Sequence, residues 1–204
     1  MKENGIVNDF GFYVALLFAL SCIVAGVSFF GVVIVSAQTG YQWDGTEGFA
    51  AFYQNGNQFI ISLAWSTAFL NALLYPILLA SVHYSIPQDK RILTQIGLIF
   101  SSAGMIIACG YEYLQLTLIR HSIASNSLVG LDMFAILNPH SVVTALSFLG
   151  WMLFMGIALL STAFVFSDSK LERWIRALLI VVALLGIMAG VGNVFAVTIL
   201  ALLY

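Results

Sequence analysis

Five apolar stretches, each long enough to cross a bilayer as a helix, leave this chain few ways to fold. They run near residues 10–37, 58–86, 92–120, 141–166 and 174–203. A span needs about 20 apolar residues, because a helix rises about 1.5 Å per residue through a hydrocarbon core of about 30 Å. Backbone amides in lipid must be satisfied within their own segment. The stretches therefore predict an all-α polytopic bundle of five transmembrane helices. Composition agrees, since 61% of the 204 residues are hydrophobic and 8% are charged. A soluble domain carries about a quarter charged residues. One domain, residues 1–204, accounts for the length. The first stretch ends in Val35-Ser36-Ala37, which resembles a small-residue cleavage site. Its apolar core far exceeds the roughly 7–15 residues of a signal peptide, so it reads as a retained helix.

Charge sets the expected orientation. Lys90 and Arg91 lie in the turn "PQDKR", and Lys170, Arg173 and Arg176 flank "SDSKLERWIR". With five spans both turns fall on one side, together with Lys2, so six of the seven basic residues share it. The positive-inside rule makes that side cytoplasmic, with the N-terminus inside and the C-terminus outside. A multi-pass protein of the cell membrane, in a bacterium the inner membrane, is the expected location. A net charge of −2 with no basic run excludes nucleic acid as a partner. Cys22 and Cys109 form no CxxC and no metal-ligand spacing, so they read as packing residues.

The loops 38–57 and 121–140 then face outward, with Arg120 the one basic residue at that surface. The first carries Tyr41, Trp43, Phe49, Phe52 and Tyr53, and a short interfacial helix is expected over 46–53. The second places Leu128, Leu131, Phe134 and Leu137 near helical spacing before Asn138-Pro139. Two readings stand for these loops. They anchor the protein at the headgroup level, or they roof a cavity opening outward or sideways into the bilayer.

Small residues mark where helices approach closely, because no hydrophobic effect operates between helices in lipid. Gly97, Ser101, Gly104 and Ala108 form such a stripe, which continues to Tyr111, Glu112 and Gln115. Ala183, Gly186, Gly190 and Asn193 form a second, and Ala64, Ala68, Asn71 and Tyr75 a third. Each seam carries a polar residue toward the interior. Glu112 is the one that demands explanation. It lies eight residues before Arg120, about 12 Å deep, and an acid at a span centre costs about 2.5–3.5 kcal/mol on insertion scales. Held there as the neutral acid, it is a competent proton donor. A descending line of His140, Arg120, Gln115, Glu112, Asn193 and Asn71, with Trp65 above Asn71, describes a pocket in the outer half. Trp151 and Trp174 read as belt or packing residues.

The runs "YEYLQLTLIR", "LNPHSVVTALSFLGWMLFMGIALLSTAFVF" and "LERWIRALLIV" carry a resemblance. A tyrosine before Gln-Leu-Thr, then Asn-Pro-His, then Leu-Glu-Arg-Trp-Ile-Arg resembles a group of small bacterial polytopic membrane proteins of unknown function. It spans about residues 92–190. The resemblance implies membrane class and topology, and gives weight to Gln115, Asn138 and His140. That group has an apolar residue, or none in particular, where Glu112 stands, so the resemblance implies no shared catalytic role for it.

These residues suit a protein that binds a lipophilic small molecule in an outer-half intramembrane pocket. Glu112 is the candidate catalytic residue, and Asn71, Trp65, Tyr111, Gln115, Asn138, His140 and Asn193 are the candidate ligand contacts. No metal, cofactor or nucleotide motif is expected. Acid–base chemistry, an isomerase or cyclase acting on a lipid or isoprenoid, is the reaction type such a site suits, with Trp65, Tyr111 and Tyr113 facing a developing cation. Whether a reaction occurs stays open. So does oligomeric state. Membrane lipid is the expected partner. The alternatives are a non-enzymatic subunit or assembly factor whose polar residues only pack helices, and a small transporter.

Overall fold

The computed structural model describes residues 3–55 and 58–195. Six helices are built from them: α1 (Glu3–Thr39), α2 (Thr46–Asn55), α3 (Gln58–Ser85), α4 (Gln88–Ala124), α5 (Val142–Ala163) and α6 (Lys170–Val194). All but α2 are long and apolar enough to span a membrane, so the chain is all-α with the character of a multi-pass membrane protein. The expected spans agree with these helices closely. The third runs on to Ala124, and the fourth stops at Ala163, where tight turns bring Val165 N onto Thr162 O and Phe166 N onto Ala163 O. The end of the fifth, 196–203, and Lys2 lie outside the described residues.

Local chemistry explains where the last two helices begin. Ser141 caps α5 by accepting the Thr144 N–H at 3.0 Å, and Ser169 caps α6 by accepting the Glu172 N–H at 3.1 Å. The Glu172 carboxylate reaches back to accept the Ser167 and Asp168 amides, satisfying donors that a helix start leaves open.

The long helices pack in chain order, α1 on α3, α3 on α4, α4 on α5 and α5 on α6. Among the described residues no extended contact joins α1 to α6. Glycines seal the α4–α5–α6 side. A methyl group placed at Gly104 would lie 2.9 Å from the Gly150 carbonyl oxygen, and one at Gly150 would lie 2.8 Å from the Gly104 oxygen. At the next junction a methyl at Gly156 would lie 2.9 Å from the Ala183 carbonyl oxygen, and one at Gly186 would lie 3.0 Å from that of Met152. The glycine seams read from sequence on α4 and α6 are therefore real contacts, with α5 as their common partner; Ala68 and Asn71 of the α3 stripe line a cavity instead.

Both connecting loops lie at one end of the bundle. At the other, Lys90 donates to Ser167 Oγ at 2.9 Å and pairs with Asp168 at 3.5 Å. Those neighbours hold the Asp168 carboxyl below the usual carboxylate range, the Ser167 hydroxyl first and Lys90 second. The N-terminal half of α1 belongs to this end, since Gly11 abuts Ser81 near the close of α3.

The loop end is a layer of its own. The expected helix at 46–53 exists as α2, but its Phe49, Phe52 and Tyr53 are buried within the protein against Ile61, Trp65, Ile123 and Leu131. Tyr41 stacks on Phe52 at 4.4 Å; burial there, with Asp44 nearby, pushes its hydroxyl up to about 12. The second loop is not the helix that its leucine spacing suggested. It holds only a short 3-10 turn at Leu131–Met133, after Gly130 at φ 76° in the left-handed region. Hydrogen bonds fix it instead. Gln115 Nε2 donates to Phe134 O at 2.7 Å, Asn138 Nδ2 donates to Asp132 O at 2.8 Å, and Asn138 Oδ1 accepts the His140 N–H at 2.9 Å.

Candidate functional site: a cavity beneath the loop layer

Helices that pack only on chain neighbours form a row, and this row curls around a cavity of about 840 Å3. Its walls come from all five long helices. The half of each that faces the loops contributes most, and Ile136 and Leu137 close it toward the loop layer. Phe29 of α1 and Trp65 of α3 meet edge to face at 5.2 Å on one flank. Phe148, Trp151 and Met155 of α5 line the other. Val33 of α1 and Val182 of α6 line the cavity and are also 61% and 53% exposed. The cavity therefore meets its surroundings between α1 and α6, the two ends of the row.

The polar groups lie on α3 and α4, at the back of the curl. Asn71 and Glu112 are buried at 6% and 2% exposure, and both line the cavity. Each keeps one side-chain oxygen, Asn71 Oδ1 and Glu112 Oε2, without a hydrogen-bond partner in the protein. Tyr111, also fully buried, shares that wall. The Trp151 indole of α5, which can only donate, hydrogen-bonds the Glu112 carboxyl.

Both partners are associated with irregular helix. Trp151 lies inside a π-helical segment, Phe148–Phe154, and a second one, Gln115–Ile119, begins three residues beyond Glu112. Such wide turns shift the register of a helix face and are frequent at functional sites. Here the α4 segment leaves Tyr111, Glu112, Gln115 and Ile119 all buried.

Of the eight residues named from sequence, the cavity brings together Trp65, Asn71, Tyr111 and Glu112. The other four lie elsewhere. Gln115 and Asn138 are buried, but their side chains organise the loop layer. His140 is exposed, and Asn193 is half-buried near the end of α6, away from the cavity lining. Tyr113 is 59% exposed and turns outward toward Phe69. Trp151 of α5 is the side chain that stands beside Glu112. Sequence reasoning passed over Trp151, yet a signal existed: an indole N–H in mid-span needs an acceptor, and Glu112 is the strongest at that depth. The α1 stripe Ala25, Phe29, Val32 and Ser36 carried no such signal, since α1 is apolar on every face.

Among the described residues no group of three His, Cys, Asp or Glu could hold a metal ion. No protein-family model, curated protein or solved structure matches the chain. The resemblance over 92–190 thus leads to no identified family, and the cavity has to be read from its own chemistry.

Proposed function

We propose that this protein holds a lipophilic small molecule in the cavity, with Glu112 as its polar contact. The observation that carries the reading is the cavity itself, about 840 Å3 with largely apolar walls and an unpartnered carboxyl oxygen at its back. Its size falls within the roughly 300–1,000 Å3 of small-molecule sites. Left empty, an apolar space of this size would deprive its lining atoms of contacts on one side, which is unfavourable. A lipid chain or a ligand must therefore fill it in the membrane.

The bundle is oriented with the N-terminus and the Lys90–Lys170 end inside the cell, because basic residues concentrate there. The cavity then belongs to the outer half of the cell membrane. Chemistry at this site is of the acid–base kind, with Glu112 as proton donor to a lipid or isoprenoid and the faces of Trp65 and Tyr111 beside any developing cation.

Native mass spectrometry of gently extracted protein tests the occupancy. Wild type is expected to carry one lipophilic adduct, and Ala68→Trp, which fills the cavity from α3, is expected to fold and lose it. Bare protein in both cases overturns the reading. Orientation is tested separately: Gly45→Cys should label from outside the cell and Gln88→Cys should not.

A further inference from the structure

We infer that the occupant is a single-chain lipid alcohol that enters sideways between α1 and α6 and places its hydroxyl against Glu112 and Asn71. This rests on the reading that the cavity holds a lipophile, and names the class of molecule and its route.

The route follows from the order of the helices. The cavity is capped toward the loops by Ile136 and Leu137, beneath the buried cluster of Phe49, Phe52 and Leu131. The open side lies between α1 and α6, where the rim residues Val33, Val182 and Leu185 are apolar. Such a rim admits a hydrocarbon from the bilayer and offers nothing to a hydrated solute. Glu112 on α4 stands at the middle of the row, opposite that gap, and Asn71 lies on the adjoining α3. A molecule entering head-first meets both, with its tail lying back toward the opening.

The head group follows from the two unpartnered oxygens, Asn71 Oδ1 and Glu112 Oε2. Leaving a buried polar atom unpaired is unfavourable, so a fitting occupant satisfies both. A hydroxyl donates to an amide carbonyl and also accepts from a carboxylic acid O–H. An ether can only accept, and an ammonium, although it could donate to both oxygens, brings a charge that this apolar lining leaves unsolvated unless Glu112 gives up its proton. A phosphate or carboxylate would meet the Glu112 acid with no Lys or Arg on the lining to balance it. The volume suits one slender molecule rather than a two-chain lipid.

Two of the four tryptophans, Trp65 and Trp151, line the cavity and can report its contents. In a Trp43→Phe/Trp174→Phe background in lipid nanodiscs, their fluorescence is titrated with dibrominated octadecanol. Its methyl ether, its amine analogue and its phosphate monoester serve as comparisons. The alcohol should quench saturably at a mole fraction at least tenfold below the other three. That preference should disappear in Asn71→Leu and in Glu112→Leu; two variants are used so that one folding failure does not decide the matter. If the ether, amine or phosphate quenches as well as the alcohol, the hydroxyl assignment is overturned while the cavity reading stands. Absence of saturable quenching by every chain overturns both.

Discussion

Helix α6 has two flanks with opposite fates. Against α5 it is held by Gly156, Gly186 and Gly190, where an added methyl would meet backbone or Cβ atoms at 2.9–3.0 Å. Toward α1 it makes no extended contact among the described residues, and exposed valines face the gap. Small residues alone do not explain the difference, because Gly26 of α1 and Gly110 of α4 have nothing within 4 Å. A glycine closes a helix pair only where a facing backbone comes to meet it. On the sealed side it does. On the open side, bulky walls such as Phe29, Trp65, Trp151 and Met155 hold the ends of the row apart and leave a cavity.

The sharpest break of this comparison is a large side chain on the sealed side. Gly104→Leu drives carbons into the Gly150 carbonyl and the Phe154 Cβ, neither of which can swing aside. Overpacking costs about 1–3 kcal/mol, and a rigid backbone obstacle puts this variant at or above the top of that range. Thermal unfolding in detergent should show a large loss for Gly104→Leu and almost none for Gly110→Leu. Equal midpoints for the two would place Gly104 against lipid and undo the seam.

Closing the open side is the complementary test. Cysteines at Phe29 and Leu185, in a Cys22→Ser/Cys109→Ser background, can be bridged by a bifunctional maleimide across the gap. Bridging should slow uptake of the brominated alcohol more than tenfold and leave unfolding unchanged. Unimpeded uptake would mean that molecules reach the cavity through the loops.

A smaller effect separates the site from its scaffold. Gln115→Leu orphans the Phe134 carbonyl and should cost about 1–3 kcal/mol, with ligand binding retained. Glu112→Gln should do the reverse, leaving stability near wild type and ending any proton transfer. If Gln115→Leu alone abolished binding, the loop layer would belong to the site.

The smallest effect is expected at the far end. Asp168 is held below its ordinary range by Ser167 and Lys90, so its contribution is present above the ordinary carboxylate range and is lost as pH falls through the lowered folded value. The group is fully exposed, and solvent screens the pair. Asp168→Asn should leave the melting midpoint unchanged at pH 7. A measurable loss would make that turn a clasp on the bundle.

The helices were legible in the sequence because length and hydropathy decide spans, and the α4 and α6 seams were legible because only small residues permit backbone contact. The depth of Glu112 pointed to the cavity; Asn71 and Tyr111 followed from the stripes, and Trp65 from its place above Asn71 on the same helix. The rest was hidden for physical reasons. Asn138 and His140 sit where a loop must turn, and a turn-forming asparagine looks the same in sequence as one that binds a ligand. The pairing of Trp151 with Glu112 depends on how α4 and α5 are rotated, which two π segments alter. The gap between α1 and α6 joins the two ends of the row, and no local pattern encodes a contact that is missing.

The central claim is that the space inside the row is filled by a molecule entering between α1 and α6. A density map of the protein in lipid nanodiscs, at a resolution that shows side chains, tests it most directly. One elongated density is expected in the cavity, its end against Glu112 and Asn71 and its length running out past Val33 and Val182. A map with α1 packed along α6 and side chains filling the interior would contradict it.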